Sequence, residues 1–149
     1  MLNRFYFITL IILVLSFSAC NSNPGKWNDV EFENLDIARY ITPDDEGTTV
    51  IRNLDEWDYF ISKNYYGDMV IEPPVNFDDK FIIAVYWGCG YGGCTNMTES
   101  IESVRFKPGK IVVDVGPLSD LGSCEMVVCP IQMVAIDRID ATVSFNIAR

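Results

Sequence analysis

Cysteines are the residues of this chain with the widest choice of chemistry. Cys89 and Cys94 enclose "GYGG", and Cys124 and Cys129 enclose "EMVV", so both pairs have the spacing C-x-x-x-x-C. Paired zinc ligands commonly lie two residues apart, and a redox-active pair is C-x-x-C at a helix N-terminus. Neither pair fits those patterns. In an exported protein, where thiols are oxidised, the four cysteines predict two disulfides, and a metal site with four cysteine ligands is the alternative.

The pairing depends on whether residues 124–129 are extended. Five residues of strand span about 16 Å, whereas the Cα atoms of a disulfide lie within about 7 Å of each other. If the segment is extended, Cys124 and Cys129 must both pair with Cys89 and Cys94. Cross-pairing, as 89–129 with 94–124 or as 89–124 with 94–129, is favoured over local pairing, which an irregular loop at 121–129 would permit.

The fifth cysteine, Cys20, follows a segment with the features of an export signal. Arg4 is its one charge, and the apolar stretch from Phe5 to Phe17 suits a signal-peptide core but is short for a membrane-spanning helix. The following "FSAC" resembles the lipobox of bacterial lipoproteins. We predict a signal peptide at 1–19 and lipidation of Cys20, which anchors the protein in the bacterial cell envelope, in the outer membrane or on the periplasmic face. An ordinary signal peptide and an uncleaved anchor are the alternatives.

The composition excludes several classes of function. The chain has no histidine, which removes Ser–His and Cys–His nucleophiles and imidazole metal sites. Its formal net charge is −10, and a surface this acidic repels the phosphates of nucleic acids. No G-x-S-x-G or metal-ligand motif is present. We therefore predict a protein that is not an enzyme and that needs no cofactor.

The pattern of apolar residues predicts one helix followed by five strands. Asn53 is the expected helix cap, with an apolar stripe through Leu54, Trp57, Phe60, Ile61 and Tyr65 and an end at Gly67. The expected strands are "FIIAVYWG" in the centre, "TNMTESIESVRF" with a bulge near Ser103, "KIVVDVGPL", "EMVVCPIQMVAIDRI" with a break at Pro130, and "ATVSFNI" with Val143, Phe145 and Ile147 facing inward.

These elements place the chain in the α+β to mainly-β class. We expect the helix to pack on a predominantly antiparallel sheet of about five to six strands, or on a sandwich-like variant of it. Residues 20–47 are expected to form a tether and residues 48–149 a single globular domain.

Three aromatic residues surround the first cysteine pair. Tyr86, Trp87 and Tyr91 lie on or next to the glycine-rich loop. Because aromatic side chains on a pre-organised loop are typical anchors of protein interfaces, these three are the candidate partner-binding residues. The alternative is that Trp87 belongs to the core and Tyr91 covers the disulfide.

The order of these motifs resembles the C-terminal domain family of the bacterial protease-complex subunit PrcB. The resemblance extends over residues 48–147, from "NFDDKFIIAVYWG" and the "GG" turn through "IESVRFKPGKIVVDV" to "CPIQMVAIDR". The turn is one residue shorter than in the family, Cys94 replaces an aromatic residue, and the basic residue of the turn is absent. The resemblance implies a non-enzymatic, exported protein that binds and stabilises a protein partner, in particular an exported protease complex. It supplies no active-site residue.

A second class of function remains open at this point. The same aromatic residues, with Asp78 and Asp79 as polar contacts, are compatible with a cell-envelope lipoprotein that binds a small ligand or carbohydrate. The sequence leaves open which of the two the chain binds.

Overall fold

The structure is a computed structural model that describes residues 25–118 and 120–148. Within them the chain forms ten strands, a 3₁₀ helix (Asp36–Tyr40) and one α-helix, α1 (Leu54–Asn64). The strands are β1 (Asn28–Asp29), β2 (Glu33–Asn34), β3 (Glu46–Ile51), β4 (Lys80–Trp87), β5 (Tyr91–Gly93), β6 (Ile101–Lys107), β7 (Lys110–Val115), β8 (Met126–Val128), β9 (Ile131–Asp137) and β10 (Thr142–Ile147). Residues 1–24, with the predicted signal peptide and Cys20, lie outside the described residues.

The strands form three sheets. The outer sheet has the order β1-β6-β7-β10, the central sheet has the order β2-β9-β4-β3, and β5 and β8 form a two-stranded ribbon. All pairs are antiparallel except β7 with β10. The mainly-β class with one α-helix is confirmed, whereas a single sheet of five to six strands is wrong. One helix covers only one face of such a sheet, and here a second sheet covers the other.

The core between the two large sheets is built from alternate residues of the facing strands. Pairs such as Val104 with Val113 in the outer sheet face Ile83 and Val134 in the central sheet, and all four are buried. β9 is buried from Ile131 to Ile136, because the outer sheet covers one face and the helices cover the other. This explains its apolar residues on both parities.

The second core lies between the central sheet and α1. Trp57 is fully buried there and donates its indole N–H to the carbonyl of Ile71 over 3.0 Å. Asn53 caps α1 as predicted, since its Oδ1 accepts from Glu56 N at 2.9 Å. The predicted stripe is wrong at Leu54, because this first residue of α1 is 53% exposed and does not pack against the second core. α1 also ends at Asn64 rather than at Gly67.

The bulge in β6 and the last residue of β10 were also predicted from the sequence. The bulge predicted near Ser103 is confirmed as a register shift between Ile101 and Ser103. The expected inward position of Ile147 is wrong, because this last residue of β10 is 47% exposed at an edge of the outer sheet.

The segment predicted as a tether contributes to the fold. β1 pairs with β6 and β2 pairs with β9, so the chain crosses from the outer to the central sheet between residues 29 and 33. Leu35, Ala38 and Ile41 then enter the second core. The compact domain therefore begins about 20 residues before Thr48, where the sequence placed it. The sequence did not predict β1 and β2, because strands of two residues are too short to show an apolar period.

Candidate functional site

The candidate site is the ribbon of β5 and β8, which two disulfides cross-link. Cys89 is bonded to Cys129 at one end, with their Cα atoms 4.0 Å apart, and Cys94 is bonded to Cys124 at the other, with 4.9 Å between Cα atoms. Cross-pairing is confirmed, in the pattern 89–129 with 94–124. The reason is the one given by the sequence, since β8 is an extended strand between Cys124 and Cys129. We call residues 89–94 and 124–129 the cystine ribbon.

Glycines allow the chain to enter this ribbon. Gly88 has φ = +70°, and a Cβ at this position would lie 2.7 Å from the carbonyl oxygen of Asp44. Within β5, a Cβ on Gly93 would lie 2.6 Å from Cβ of Leu121. Glycine is therefore required at Gly88 by both backbone angle and space, and at Gly93 by the close packing of the loop that precedes β8.

Hydrogen bonds hold the ribbon against the rest of the domain. Cys94 N–H donates to the Leu121 carbonyl at 2.6 Å, and Cys129 N–H donates to Asn96 Oδ1 at 2.8 Å. The main chain of Asn96 accepts from Ile131 at 2.7 Å, at the start of β9. The disulfides thus join the two strands of the ribbon to each other, and these hydrogen bonds hold the ribbon against the neighbouring loops and the start of β9.

The ribbon exposes three large apolar side chains. Val127 is 75% exposed, Met126 is 55% exposed and Tyr91 is 39% exposed, while Val128 of the same ribbon is buried. β5 and β8 are paired through Tyr91 with Val128, Gly92 with Val127, and Gly93 with Met126. Exposed apolar side chains are therefore held on a segment that has little freedom to cover them.

The three aromatic candidates from the sequence are separated in the structure. Tyr91 lies on the ribbon, but Tyr86 points toward α1, where its hydroxyl and Thr49 Oγ1 are 3.0 Å apart. Trp87 packs against the core between the sheets. Tyr86 and Trp87 are neighbours on β4, and successive strand residues face opposite sides.

Met126 and Val127 are the ribbon residues that the sequence did not identify. They lie in an apolar run that continues into β9, and their composition is that of a buried strand. The flanking cysteines were the one available signal, because two cross-links to another loop pull this segment away from the sheet.

The chemistry of the four cysteines is that of a structural cross-link. All four sulfurs are in disulfides, which is incompatible with a zinc site built from four cysteine thiolates. Within residues 25–118 and 120–148, no group of three or more cysteine, aspartate or glutamate side chains is placed to hold a metal ion. The same residues contain no helix that is long and apolar enough to cross a membrane.

Two ionisable groups have shifted pKa values with identifiable causes. The pKa of Asp114, on the exposed face of the outer sheet, is lowered because its carboxylate accepts hydrogen bonds from Ser103 and Asn146 and from the Arg105 guanidinium. The pKa of the Tyr66 phenol is raised, because it donates to Asp44 Oδ2 over 2.7 Å and ionisation would break that bond beside a second negative charge. Neither group lies on the ribbon.

The polar residues considered for a carbohydrate site are not near the ribbon. Asp78 and Asp79 form a turn with Asn76 immediately before β4, whereas the ribbon follows the far end of β4. Seven residue steps of strand separate those ends by about 23 Å. The aromatic and acidic residues proposed for such a site are therefore not assembled into one pocket.

No family model matches this chain, and comparison with curated proteins and with solved structures found no match.

Proposed function

We propose that this protein is a non-enzymatic, lipid-anchored protein of the bacterial cell envelope that binds a partner protein through the cystine ribbon. The observation that carries the proposal is the exposure of Tyr91, Met126 and Val127 on a segment cross-linked at both ends.

The physical support is pre-organisation. Binding loses the conformational entropy of any side chain or loop that becomes ordered, and a cross-linked ribbon has lost much of it already. Tyrosine is among the residues that dominate interface energetics, and methionine adapts to irregular partner surfaces. Exposed apolar surface is a feature of docking sites, and here Tyr91 and Met126 share one face of the ribbon while Val127 lies on the other.

The disulfides support an extracytoplasmic location. Two disulfides are typical of a protein that folds in an oxidising compartment, and thiols in the cytosol are kept reduced. The apolar N-terminal segment with "FSAC" provides the export signal and the lipidation site, Cys20. We propose the outer membrane or the periplasmic face as the location of the anchor.

The nature of the partner is proposed from the resemblance to the PrcB C-terminal domain family. Its members associate with an exported protease complex, and the ribbon of this chain occupies the position of the family's double-glycine turn at Gly92 and Gly93. We therefore propose an exported protease or a subunit of its complex as the partner, with the present chain as a stabilising subunit.

The test is site-specific photo-cross-linking in the native envelope. A photoreactive residue replaces Val127 in the full-length protein, and the same residue replaces Val70 as a control, because Val70 is also exposed and apolar but lies between α1 and β4. We expect a discrete adduct from position 127 and none from position 70. The substitutions Tyr91→Ser and Met126→Ser are expected to abolish the adduct, and Val70→Ser is expected to leave it unchanged.

The proposal fails if position 127 gives no adduct or gives the same adducts as position 70. It also fails if Tyr91→Ser with Met126→Ser, shown to fold by an unchanged thermal transition, leaves the adduct intact. Mass spectrometry of the adduct identifies the partner. A partner that is neither a protease nor part of a protease complex would retain docking by the ribbon but overturn the role implied by the resemblance.

A further inference from the structure

The second feature of interest is the free edge of β3, which is the last strand of the central sheet. Trp87 N–H donates to the Pro130 carbonyl, on the β9 side of β4. Main-chain groups alternate in direction along a strand, so the neighbouring residue Tyr86 directs its own groups toward β3, where it pairs with Gly47. It follows that Thr48 and Val50 direct their main-chain N–H and C=O groups away from the sheet.

The next residue of that parity confirms the direction. Arg52 N–H donates to Glu56 Oε2 over 2.7 Å, outside the strand ladder. In the described part of the chain, no hydrogen bond outside the strand ladders engages the main chain of Thr48 or Val50. β3 therefore presents unpaired donors and acceptors to solvent, the feature to which an additional strand binds.

A groove of about 560 Å³ runs along this edge, between β3 and α1. Tyr86 forms part of its floor, because its ring lies across Gly47, where a Cβ would be 2.9 Å from the ring. The Tyr86 hydroxyl is fixed by Thr49, and the Phe60 ring lies 6.1 Å away, centroid to centroid. On the other wall, Tyr59 of α1 is 67% exposed.

Acidic side chains line the same groove. Five carboxylates face one ammonium group, Lys63, and none of the five forms an ion pair within the described residues. They are Asp44, Asp45, Glu46, Asp55 and Glu56. The groove is therefore complementary to a cationic occupant, and its aromatic floor suits the alkyl stems of long basic side chains.

We infer that the edge of β3 binds an extended polypeptide segment carrying lysine or arginine residues, which joins the central sheet as a fifth strand. Main-chain bonds to Thr48 and Val50 provide affinity that does not depend on sequence. Alternate side chains of the added strand then enter the groove, and the carboxylates select those that are basic. The occupant is a segment of another polypeptide, since a small cation would make no use of the strand edge.

This site is separate from the cystine ribbon, and none of its lining residues belongs to the ribbon. The inference therefore does not depend on the function proposed above. A partner that docks on the ribbon and a segment that pairs with β3 are bound by different surfaces, so either can fail alone.

The test measures binding of fluorescent octapeptides to the purified full chain by anisotropy. The probe is an alternating Lys–Val octapeptide, and its two controls are a Glu–Val octapeptide and the Lys–Val octapeptide with alternate main-chain N–H groups methylated. We expect the Lys–Val peptide to bind, the Glu–Val peptide not to bind, and methylation to weaken binding about tenfold or more because it removes strand pairing.

Variants of the protein separate the two contributions. Asp45→Asn with Asp55→Asn is expected to weaken binding about tenfold, whereas Asp137→Asn with Asp140→Asn, which removes the same charge elsewhere, is expected to change it less than about twofold. Thr48→Pro removes an outward N–H without removing a bond to β4, and proline is tolerated at such edge positions. We expect it to weaken binding as methylation does.

The inference is overturned if the Lys–Val peptide does not bind at low salt. It is also overturned if methylated and unmethylated peptides bind equally, which would indicate diffuse electrostatic attraction. Equal weakening by the two pairs of aspartate substitutions would refute the groove, and displacement of the peptide by calcium or spermidine at equimolar concentration would assign it to a small cation. If Thr48→Pro impairs folding, the methylated peptide remains a full test of strand pairing.

Discussion

The carboxylate of Asp114 lies on the exposed face of the outer sheet and is held by side chains from both neighbouring strands. Ser103 Oγ donates to it at 2.6 Å from β6, and Asn146 Nδ2 donates at 3.1 Å from β10. Arg105 contacts both carboxylate oxygens, through Nε at 2.8 Å and Nη2 at 3.0 Å, and its guanidinium lies 5.6 Å from the Trp27 ring centroid. These bonds are strongest when the carboxyl is ionised, and this is why its pKa is lowered.

Replacing Asp114 by asparagine tests this network. A lowered folded-state pKa contributes stability that is present above the unfolded pKa, near 3.8, and is lost as the pH falls through the folded value. We expect Asp114→Asn to lower the free energy of unfolding at pH 7 by about 1 kcal/mol, because it removes the charge that these donors bind. The loss is no larger because solvent partly screens the ion pair with Arg105. The difference from the unmodified protein should shrink below about pH 4.

Urea denaturation followed by tryptophan fluorescence at pH 7, 5 and 3 measures this difference. Asp137→Asn is the matched control, because Asp137 is exposed and has no hydrogen-bond partner for its side chain within the described residues. A destabilisation by Asp114→Asn that is the same at pH 3 as at pH 7 would contradict the electrostatic explanation.

Local features were predictable from the sequence at this scale, and long-range ones were not. The cap at Asn53 was predicted because the cap and its N–H partner are three residues apart. The exposure of Leu54 could not be predicted from periodicity. Periodicity defines the apolar face of a helix but not which turns of that face other elements cover. The network around Asp114 could not be predicted from the sequence. Asn146 is 32 residues away and contacts Asp114 because β7 pairs with β10.

At the scale of elements, the cystine ribbon is the part of the fold most dependent on covalent cross-links. β5 and β8 have three residues each and pair only with one another. An isolated two-stranded ribbon is marginal in water. The two disulfides therefore stabilise an element that hydrogen bonding alone would not maintain.

Removing the disulfides one at a time should distinguish their roles. The bonded residues are 40 and 30 positions apart, for which the loss of chain entropy in the unfolded state gives about 4 kcal/mol for each. Cys129 is buried, however, whereas Cys124 is exposed. We expect Cys89→Ala with Cys129→Ala to lower the free energy of unfolding by about 1 kcal/mol more than Cys94→Ala with Cys124→Ala does, since it also disturbs packing beside Pro130.

Urea denaturation of the two double variants, each with its remaining disulfide formed, measures the two costs. Loss of the 94–124 disulfide should leave the unfolding transition cooperative and should make the main-chain amides of β5 and β8 exchange faster with solvent. If loss of the 94–124 disulfide lowers the free energy of unfolding as much as loss of the 89–129 disulfide, the expectation is wrong. The end of the ribbon at Cys94 and Cys124 would then unfold together with the core.

The sequence predicted which segments form strands more accurately than it predicted which strands pair with one another. β4, β7, β9 and the break at Pro130 follow from composition and alternation, and the bulge near Ser103 follows from a change of parity. The parallel pairing of β7 with β10 was not indicated, because a pattern of inward residues does not identify the neighbouring strand. Through that pairing β10 joins the outer sheet instead of pairing with β9, the strand that precedes it in the chain.

For the whole molecule, the position of β1 shows where the chain enters the domain relative to the ribbon. Asn28 pairs with Phe106, next to the hairpin that joins β6 to β7. The ribbon lies at the opposite end of β6, since Ser100 and Ile101 bond to Gln132, close to Cys129. Seven residues of strand separate these two ends by about 20 Å. The ribbon therefore lies at the end of the outer sheet opposite to the one where the chain enters at β1.

The anchor would also hold the domain close to the membrane. Eight residue steps separate Cys20 from Asn28, a reach of at most about 28 Å. The tether expected from the sequence was much longer, because the strands and the 3₁₀ helix at residues 28–40 were assigned to it.

Replacing Cys20 by alanine tests this arrangement. We expect the full-length protein to fractionate with membranes and its mature N-terminus to be a lipid-modified Cys20, and we expect Cys20→Ala to move the protein to the soluble envelope extract with both disulfides formed. The acyl chains are responsible because each buried CH₂ contributes about 0.8 kcal/mol to membrane binding. Cys89→Ala with Cys129→Ala is the control, since it removes two other cysteines and should leave membrane association intact. Membrane association that persists in Cys20→Ala, or a mature chain whose mass shows no lipid, would refute the lipid anchor.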